Sequence, residues 1–458
     1  MNFRSSYIAI GAILVMGFAG SVQAAIPIER WQQASGAQVY FVPSPGLPMV
    51  DVQIDFDAGE RLVPAAQAGL AQATASMLQQ GVAAGGGQPA MDENQLGEAW
   101  ADLGASFGAS ASNDRFSVNL RSLTDPKLLT PAVQLAAHQL GHASFPDAIW
   151  QRDRARWTAG LKEALTRPGT VAALAYQKAV FGSHPYGQEP DAQTLAAIGV
   201  TDMQAWRDQR LAPCRAKATV VGAVDRAQAD ALVQTLLAQL PAASSGACPA
   251  PAQSQPVPAL TQATVVNQPF AAAQAQVLMG QPGYARQDPR HFAFFVGNHI
   301  LGEGFTSRLV NEVREKRGLS YSVGSDFSPG LAGGSFTIGL QTKPEQAQQA
   351  LKVAQDVLRD YVTRGPTEAE MNAAKANLTG SFPLRIDSNR KLLLNVANIA
   401  WNNLPLDYLD TWTRQVNAVT AQQVKAAFGE LIHPDRLAVV LVGAQPAADA
   451  AAPAGDSK

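Results

Sequence analysis

The pattern of apolar and polar positions is most informative in residues 301–325, which read LGEGFTSRLVNEVREKRGLSYSVGS. Apolar side chains recur there at the spacing of one helix face, at Phe305, Leu309, Val310 and Val313. This spacing predicts an amphipathic helix whose apolar stripe faces a core. The alternation of small polar and larger residues over 320–324 then predicts a strand.

Three residues define the end of the predicted helix. Glu312 precedes Lys316 by four positions, which is the favourable orientation for an ion pair on a helix face. Gly318 follows at a position where helices commonly end in the left-handed conformation, which glycine adopts without steric cost. The segment is therefore predicted to form a loop, a helix, a glycine stop and a strand.

Similar patterns predict an α+β fold for the whole chain. Period-two alternation or short apolar runs predict strands over residues 38–42, 50–57, 106–112, 115–122 and 218–222. Helical patterns lie between them over residues 65–80, 91–103, 125–140 and 145–163. Alternating strands and helices indicate a sheet with helices packed on one face.

The chain contains two stretches with the same order of elements. Residues 200–222 read as a helix, Pro213 and an apolar strand, and residues 419–443 repeat this order around Pro434. The distance from the first valine to the proline differs by only two residues between the two stretches. This similarity indicates an internal duplication into two homologous halves, at residues 25–240 and 263–443.

The segments outside the two halves differ from them in composition. Residues 241–262 hold five prolines among Ala, Ser and Gln, which predicts a semi-rigid, mostly extended linker. Residues 444–458 are rich in Ala and Pro and are predicted to be a disordered tail.

Charge and the N-terminal segment bear on location and partners. The 458 residues are 47% hydrophobic with a net charge of −2, so nothing favours binding to nucleic acid or to an anionic membrane. Residues 1–24 combine Arg4, an apolar run and a small-residue cleavage site, which predicts a secretory signal peptide. We therefore expect an exported, periplasmic protein, although the sequence leaves release from the cell open.

The predicted compartment also bears on the state of the two cysteines. Cys214 and Cys248 are an even pair, and in an oxidising compartment such a pair suggests one disulfide. Two free thiols remain the alternative, because the sequence does not give the distance between them.

The string over residues 301–325 resembles the C-terminal half of the pitrilysin/insulinase zinc peptidases, the inverzincins that include the mitochondrial processing peptidases. The resemblance implies a clamshell of two homologous α+β halves. It also implies that a glycine loop, here Gly302 and Gly304, and an arginine–tyrosine pair, here Arg314 and Tyr321, bind substrate beside a zinc ion. Without the resemblance, the arginine would be an ordinary solvated charge and the tyrosine a half-buried strand residue.

The zinc-binding half of the resemblance is incomplete. Active members carry H-x-x-E-H on a helix, whose two histidines bind zinc and whose glutamate acts as general base. This chain keeps the surrounding frame but has Gln72, Ala75 and Ser76 at those positions. The third ligand of the family would fall near Ala159 and Gly160, and neither is a carboxylate. We expect no zinc to be bound by this chain.

One pair of histidines has a spacing found in metal sites on helices. His138 and His142 stand four residues apart, but Gly141 occupies the position of a base and no third ligand is evident. We therefore predict no metal there either.

Three functions remain to be compared. The first hypothesis is that the chain resembles the non-zinc subunit of a heterodimeric peptidase and is inactive alone. Its Arg314 and Tyr321 would then bind an unstructured peptide substrate at the zinc site of a partner subunit. The second hypothesis is a catalytically inert structural or peptide-binding homologue. The third, a self-sufficient zinc peptidase, is disfavoured because the ligands and the base are missing together.

Overall fold

The computed structural model describes residues 26–241, 248, 250 and 252–445. The predicted signal peptide, most of the predicted tail and part of the predicted linker therefore lie outside the described residues. Within the described ranges, no helix has both the length and the apolar character needed to cross a membrane.

The first half contains eight strands, six in one sheet and two in a separate pair. Its strands are β1 (Glu29–Gln32), β2 (Gln38–Pro43), β3 (Met49–Phe56), β4 (Gly81–Val82), β5 (Met91–Asp92), β6 (Ser106–Ala111), β7 (Phe116–Leu123) and β8 (Lys217–Gly222). Its helices are α1 (Leu70–Met77), α2 (Glu93–Asp102), α3 (Pro126–His142), α4 (Asp147–Ala164), α5 (Pro168–Phe181), α6 (Ala192–Ala196), α7 (Val200–Arg210) and α8 (Arg226–Leu237). The strand order in the sheet is β1-β2-β8-β3-β7-β6, and β4 pairs with β5 separately.

The second half is built on a five-stranded sheet. Its strands are β9 (Thr264–Gln268), β10 (Ala275–Pro282), β11 (Ser322–Pro329), β12 (Gly334–Thr342) and β13 (Ala438–Val442). Its helices are α9 (His291–Asn298), α10 (Ala347–Arg364), α11 (Glu368–Ser381), α12 (Asn389–Trp401), α13 (Tyr408–Ala418) and α14 (Ala421–Leu431). Two π-helical segments, His299–Glu303 and Val310–Glu315, follow α9, and the strand order is β11-β12-β10-β13-β9.

The two sheets share one topology. In the first, β8 runs parallel to β2 and antiparallel to β3. In the second, β13 runs parallel to β9 and antiparallel to β10. The order β2-β8-β3-β7-β6 therefore corresponds strand for strand to β9-β13-β10-β12-β11, as expected for a duplicated unit. The predicted α+β fold of two similar halves is confirmed.

The prediction that helices cover only one face of each sheet is wrong. Helices of the same half, among them α3 and α10, cover one face, while a helix of the other half covers the opposite face. Helix α12 packs against β8 and β3, and α5 packs against β10 and β13. Each is the third long helix after the antiparallel strand pair of its own half, so the exchange is reciprocal.

Hydrogen bonds fix both exchanged helices. The Lys217 ammonium group on β8 donates to the carbonyl oxygens of Ala400 and Trp401 at 2.8 and 3.1 Å, and so caps the C-terminus of α12. Burial lowers the pKa of Lys217 to about 8. On α5, the Tyr176 hydroxyl donates to the carbonyl of Phe336 on β12 at 2.7 Å.

The turn between β11 and β12 also docks on the first half. Tyr186 donates its hydroxyl proton to Asp114 at 2.5 Å, and the other oxygen of that carboxylate accepts from the Leu331 backbone N–H at 3.0 Å. The Ala332 N–H donates to the Tyr186 hydroxyl at 3.1 Å. Burial, followed by the negative charge of Asp114, raises the pKa of Tyr186. This contact holds the far end of the β11–β12 pair in place.

The linker is tied to both halves. Cys214 and Cys248 form a disulfide with a Cα–Cα distance of 5.9 Å, which joins the start of the linker to the approach to β8. The Ala252 N–H donates to Asp57 at 3.2 Å, and the Val257 N–H donates to the Ala332 carbonyl at 2.9 Å. The described part of the linker is without helix or strand, as its composition predicts.

Candidate functional site

Helix α1 carries Gln72, Ala75 and Ser76, the positions at which the family resemblance implies two zinc ligands and a general base. The helical pattern over residues 65–80 gives a shorter helix than predicted, because Gly69 takes a left-handed conformation with φ of +99° and interrupts it. The buried Glu60 carboxylate then accepts hydrogen bonds from the Gly69 N–H at 3.1 Å and the Gln72 N–H at 2.8 Å. Burial raises the pKa of Glu60, and these backbone donors act in the opposite direction. No pattern in the sequence predicted this cap.

The residues of α1 do not fit a zinc ion. Gln72 and Ser76 are exposed on one face, while Ala75 is buried, so the face offers an amide and a hydroxyl in place of imidazoles and a carboxylate. Ala159 and Gly160 are exposed on α4, and open space surrounds Gly160. No group of three or more His, Cys, Asp or Glu side chains suited to a metal occurs among the described residues.

The pair of His138 and His142 is packed into the protein. His138 is fully buried on α3, and its Nε2 lies 3.3 Å from the carbonyl oxygen of Pro89. His142 ends the same helix, with its ring centroid 5.1 Å from that of His138. Burial lowers the pKa of His142, and the neighbouring His138 and Arg207 lower it further.

Arg314 and Tyr321 meet at the surface of the second half. The Arg314 guanidinium carbon lies 4.8 Å from the centre of the Tyr321 ring, a cation–π distance. Tyr321 directly precedes β11 and is 82% exposed, and the half-buried Arg314 lies in the last turn of the second π-helical segment, which ends at Glu315. For Tyr321, the described residues provide no hydrogen-bond partner at the hydroxyl. Both side chains are thus accessible to another molecule.

The helix end forms largely as predicted. The Lys316 ammonium donates to Glu312 at 2.6 Å, and Gly318 is left-handed with φ of +59°. Leu309, Val310 and Val313 are buried, but Phe305 is 89% exposed in the preceding loop. The assignment of Phe305 to the apolar stripe is therefore wrong, because the helix begins after it.

The glycine loop has a packing role in this fold. Gly302 is buried, and a Cβ atom there would lie 2.4 Å from the backbone nitrogen and the hydroxyl of Ser325 on β11. At Gly304 a Cβ atom would lie 3.3 Å from the His299 ring, which a small adjustment would accommodate. Contact of either glycine with a substrate stays a prediction.

The structure places the predicted site residues in two separate groups. The altered zinc positions belong to α1, which packs on α7 and β6 of the first half. Gly302 and Arg314 belong to the π-helical segments, which pack on β11 of the second half, and Gly304 directly follows the first of these segments. Tyr321 precedes that strand, so Gly302, Arg314 and Tyr321 form one local unit.

Comparison with known proteins identifies similar chains. A family model described as Peptidase M16 inactive domain matches residues 197–378. The crystal structure of a peptidase M16 inactive domain from Pseudomonas fluorescens is 34% identical and superimposes with a TM-score of 0.85. That match covers 92% of this chain and 99% of the other.

Matches to curated relatives are shorter. An uncharacterized zinc protease of Streptomyces coelicolor is 35% identical over 162 residues, which is 35% of each chain. A non-peptidase homolog of Helicobacter pylori is 31% identical over 128 residues, which is 27% of this chain and 29% of the relative. The matched segments thus span about a third of these relatives.

Proposed function

This chain belongs to the peptidase M16 family, as a homologue of its inactive domains, and on that premise we propose that it is the zinc-free subunit of an exported two-subunit zinc peptidase. A partner of the same family would hold the zinc ion and the general base. Arg314 and Tyr321 of this chain would donate hydrogen bonds to an unstructured peptide bound between the subunits.

The exposed contact between Arg314 and Tyr321 is the observation that carries the proposal. The Arg314 Nε pairs with the Glu315 carboxylate at 3.3 Å, while stacking on the phenol leaves the other N–H groups of the guanidinium and the phenol O–H available as donors. Such donors can bind the peptide backbone and the negative oxygen that develops in the transition state of hydrolysis. Tyr321 is 82% exposed, so burial of its ring does not stabilise the fold and does not explain why a tyrosine stands there.

The absence of zinc ligands on α1 separates this role from that of a complete enzyme. An amide, a methyl group and a hydroxyl stand where two imidazoles and a carboxylate would be needed. No step of the reaction can therefore be assigned to α1. We expect the purified chain to hydrolyse nothing by itself.

Export is part of the proposal. The N-terminal sequence has the pattern of a cleaved signal peptide, and the disulfide between Cys214 and Cys248 suits an oxidising compartment. Cell fractionation together with N-terminal sequencing of the mature protein tests it. Recovery of the uncleaved chain from the cytoplasm would contradict it.

The second candidate is an inert peptidase-fold homologue. The matched family model is named for inactive domains, and the Helicobacter pylori relative is named a non-peptidase homolog. Under this alternative, the chain would bind peptides or a partner, and the arginine–tyrosine pair would have no effect on turnover.

Reconstitution distinguishes the two candidates. The chain is mixed with a family member that carries H-x-x-E-H and lacks the arginine–tyrosine pair, and hydrolysis of an unstructured peptide is followed together with bound zinc. We expect activity only in the mixture. Tyr321→Phe should lower kcat by roughly 100-fold, as removal of one transition-state donor does, while complex formation stays unchanged.

A neighbouring substitution is the control. Ser322→Ala removes an exposed hydroxyl next to Tyr321 and should leave turnover unchanged. If the complex forms and holds zinc but Tyr321→Phe retains full activity, the inert homologue is the correct description.

A further inference from the structure

The second sheet has an outer edge that no strand of the described chain covers. Strand β9 forms this edge, since β13 is its single neighbour in the order β11-β12-β10-β13-β9. In the first sheet the corresponding strand β2 is covered by β1, which pairs with it antiparallel. The duplicated unit thus accepts an antiparallel strand at this position, and the second half lacks one among the described residues.

The linker that precedes β9 does not take the place of β1. Pro256 and Pro258 have no N–H to donate to a neighbouring strand. The N–H of Val257, between them, donates to the Ala332 carbonyl at 2.9 Å. This contact holds the linker against the turn between β11 and β12, away from β9, so the edge stays uncovered.

The backbone groups that β9 directs outward belong to Val265 and Asn267. The Thr264 N–H and the Gln268 carbonyl are hydrogen-bonded to residues that flank β13, at 3.1 and 3.0 Å. Because successive residues of a strand point their backbone groups to opposite sides, positions 264, 266 and 268 face β13. The N–H and carbonyl groups of positions 265 and 267 therefore face away from the sheet.

The side chains of β9 do not protect this edge against pairing. Edge strands are usually protected by charged residues, by an interior proline or by a bulge. Strand β9 reads TVVNQ, with neither a charge nor an interior proline, and Val265 is 67% exposed. The half-buried Val266 packs on the small cluster under α5, together with Phe181 and Phe270. An apolar cluster thus extends to an uncharged, unpaired edge.

We propose that β9 is a dimer interface, where it pairs antiparallel with β9 of a second copy of this chain about a two-fold axis at Val266. In this register Val265 lies opposite Asn267 of the other copy, and each such pair exchanges two N–H···O bonds. Val266 lies opposite its symmetry mate, which joins the two apolar clusters. A two-fold axis brings like charges together, so an uncharged strand favours a second copy as the partner.

The dimer leaves the candidate site free. Tyr321 precedes β11 at one edge of the second sheet, and β9 forms the other edge, four strand spacings or about 19 Å away. Each copy can therefore present its Arg314–Tyr321 unit to another molecule while the two copies are paired. The inference is independent of the proposed function, because self-pairing needs neither zinc nor a peptidase partner.

Sedimentation equilibrium of the mature chain alone, over a range of concentrations, tests the proposal. Because the paired strands are short, we expect a reversible equilibrium between monomer and dimer. Val265→Lys should weaken dimerisation by about tenfold or more, since it brings like charges together across the axis. Leu47→Lys changes an apolar side chain that is 58% exposed on the first half, and it should leave the equilibrium unchanged.

A proline tests whether the backbone of β9 makes the contact. Asn267→Pro removes an outward N–H that β13 does not use, and proline is tolerated at such a position of an edge strand. We expect this variant to keep the thermal unfolding curve of the unchanged monomer and to lose the dimer. A dimer held by side chains alone would persist.

Cross-linking tests the register. Both native cysteines are bonded to each other, so an introduced cysteine is the only free thiol. Val266→Cys should form a disulfide between copies in the presence of dissolved oxygen, because facing Cα atoms at such a position lie about 4.5 Å apart. Gln268→Cys is the control, since its symmetry mate would be four residues or about 14 Å away along the strands.

Three outcomes would overturn the proposal. They are a monomer at every concentration, a dimer that persists in Asn267→Pro, and equal cross-linking of Val266→Cys and Gln268→Cys. Because the assays contain the chain alone, their failure is distinct from failure of hydrolysis by the reconstituted pair.

Discussion

The ion pair of Arg308 and Glu370 shows how a single carboxylate can make stability depend on pH. Glu370 accepts from the Arg308 guanidinium at 2.7 and 2.8 Å and from the Thr367 backbone N–H at 2.7 Å. Burial alone would raise the pKa of Glu370, but these donors outweigh it and lower the pKa to about 2. Its ordinary value is 4.5, so the ionised form stabilises the native state above that pH.

Replacement of this carboxylate should therefore reduce the acid sensitivity of the protein. Glu370→Gln should lower the free energy of unfolding at pH 7 by about 1 kcal/mol, a modest value because the pair is partly exposed. The loss should vanish as the pH falls from 4.5 toward about 2, where the native carboxylate itself becomes protonated. Urea unfolding at a series of pH values measures this.

Glu368 supplies the control for the charge of the helix end. It lies in the same first turn of α11, so Glu368→Gln removes an equal charge from the helix dipole without breaking the pair with Arg308. If both variants showed the same pH dependence, the ion pair would not be its source.

Sequence reasoning at single residues succeeded where local spacing decides the outcome. The ion pair of Glu312 and Lys316 and the left-handed Gly318 follow from their positions along one helix. The choice of Arg314 and Tyr321 as candidate substrate-binding residues came from family resemblance, and the contact between their side chains is a finding of the structure. The cap by Glu60 joins residues nine and twelve positions apart, beyond one helix turn, so no local pattern predicted it.

The packing of the glycine loop on β11 determines how the Arg314–Tyr321 unit is held. The segment His299–Glu303 lies against the strand closely enough that Gly302 has no room for a side chain. A protein interior resists an added methyl group because neighbouring atoms must move. The loop and the strand are thus fitted to one another through the absence of a single Cβ atom.

A methyl group at Gly302 should disturb this element. Gly302→Ala should lower the free energy of unfolding by about 1–3 kcal/mol, the usual effect of overpacking. Gly304→Ala adds the same group two residues away, where a Cβ atom would lie 3.3 Å from His299, and should be nearly neutral. Chemical denaturation compares them, and equal stability of the two variants would contradict the packing argument.

Elements were predicted best where one face of a strand or helix is buried. The strands predicted at residues 38–42, 50–57 and 115–122 agree with β2, β3 and β7 within one or two residues, because each alternates or is fully apolar. The helix predicted over 65–80 was too long, since the left-handed Gly69 depends on contacts with Glu60 and other distant residues. The spacing of apolar residues did not predict the two π-helical segments, His299–Glu303 and Val310–Glu315.

The reciprocal packing of α5 and α12 joins the two halves into one molecule. Tyr176 on α5 donates its hydroxyl to Phe336 at 2.7 Å and accepts from Thr337 at 3.0 Å, both in the second sheet. Its side chain is buried between the halves. Loss of the hydroxyl would therefore leave polar atoms unsatisfied at the centre of the protein.

Removal of this hydroxyl should weaken both halves together. Tyr176→Phe should lower the free energy of unfolding by about 1–2 kcal/mol. Hydrogen exchange, read separately for the two sheets, should accelerate in both. Tyr321→Phe alters an exposed tyrosine and should change neither. Faster exchange in one sheet alone would mean that the halves unfold independently.

At the scale of the molecule, the sequence predicted the duplication but missed the exchange. The repeated order of helix, proline and strand at residues 200–222 and 419–443 reflects a shared local fold. The covering of each sheet by a helix of the other half is a contact between distant segments, so periodicity within either segment does not reveal it. One sequence feature did indicate that α5 is covered on more than one side. This helix reads PGTVAALAYQKAVF and is apolar around most of its circumference.

The exchanged helices also bear on how such a chain could have arisen. A half-length chain alone would expose the apolar strand β13 to water, since Val440 and Val442 are covered by α5. Two identical half-length chains would meet this need by lending each other their third helix, as a symmetric dimer does. The present chain has the architecture of such a dimer whose subunits became one gene product, with the proline-rich segment as the join.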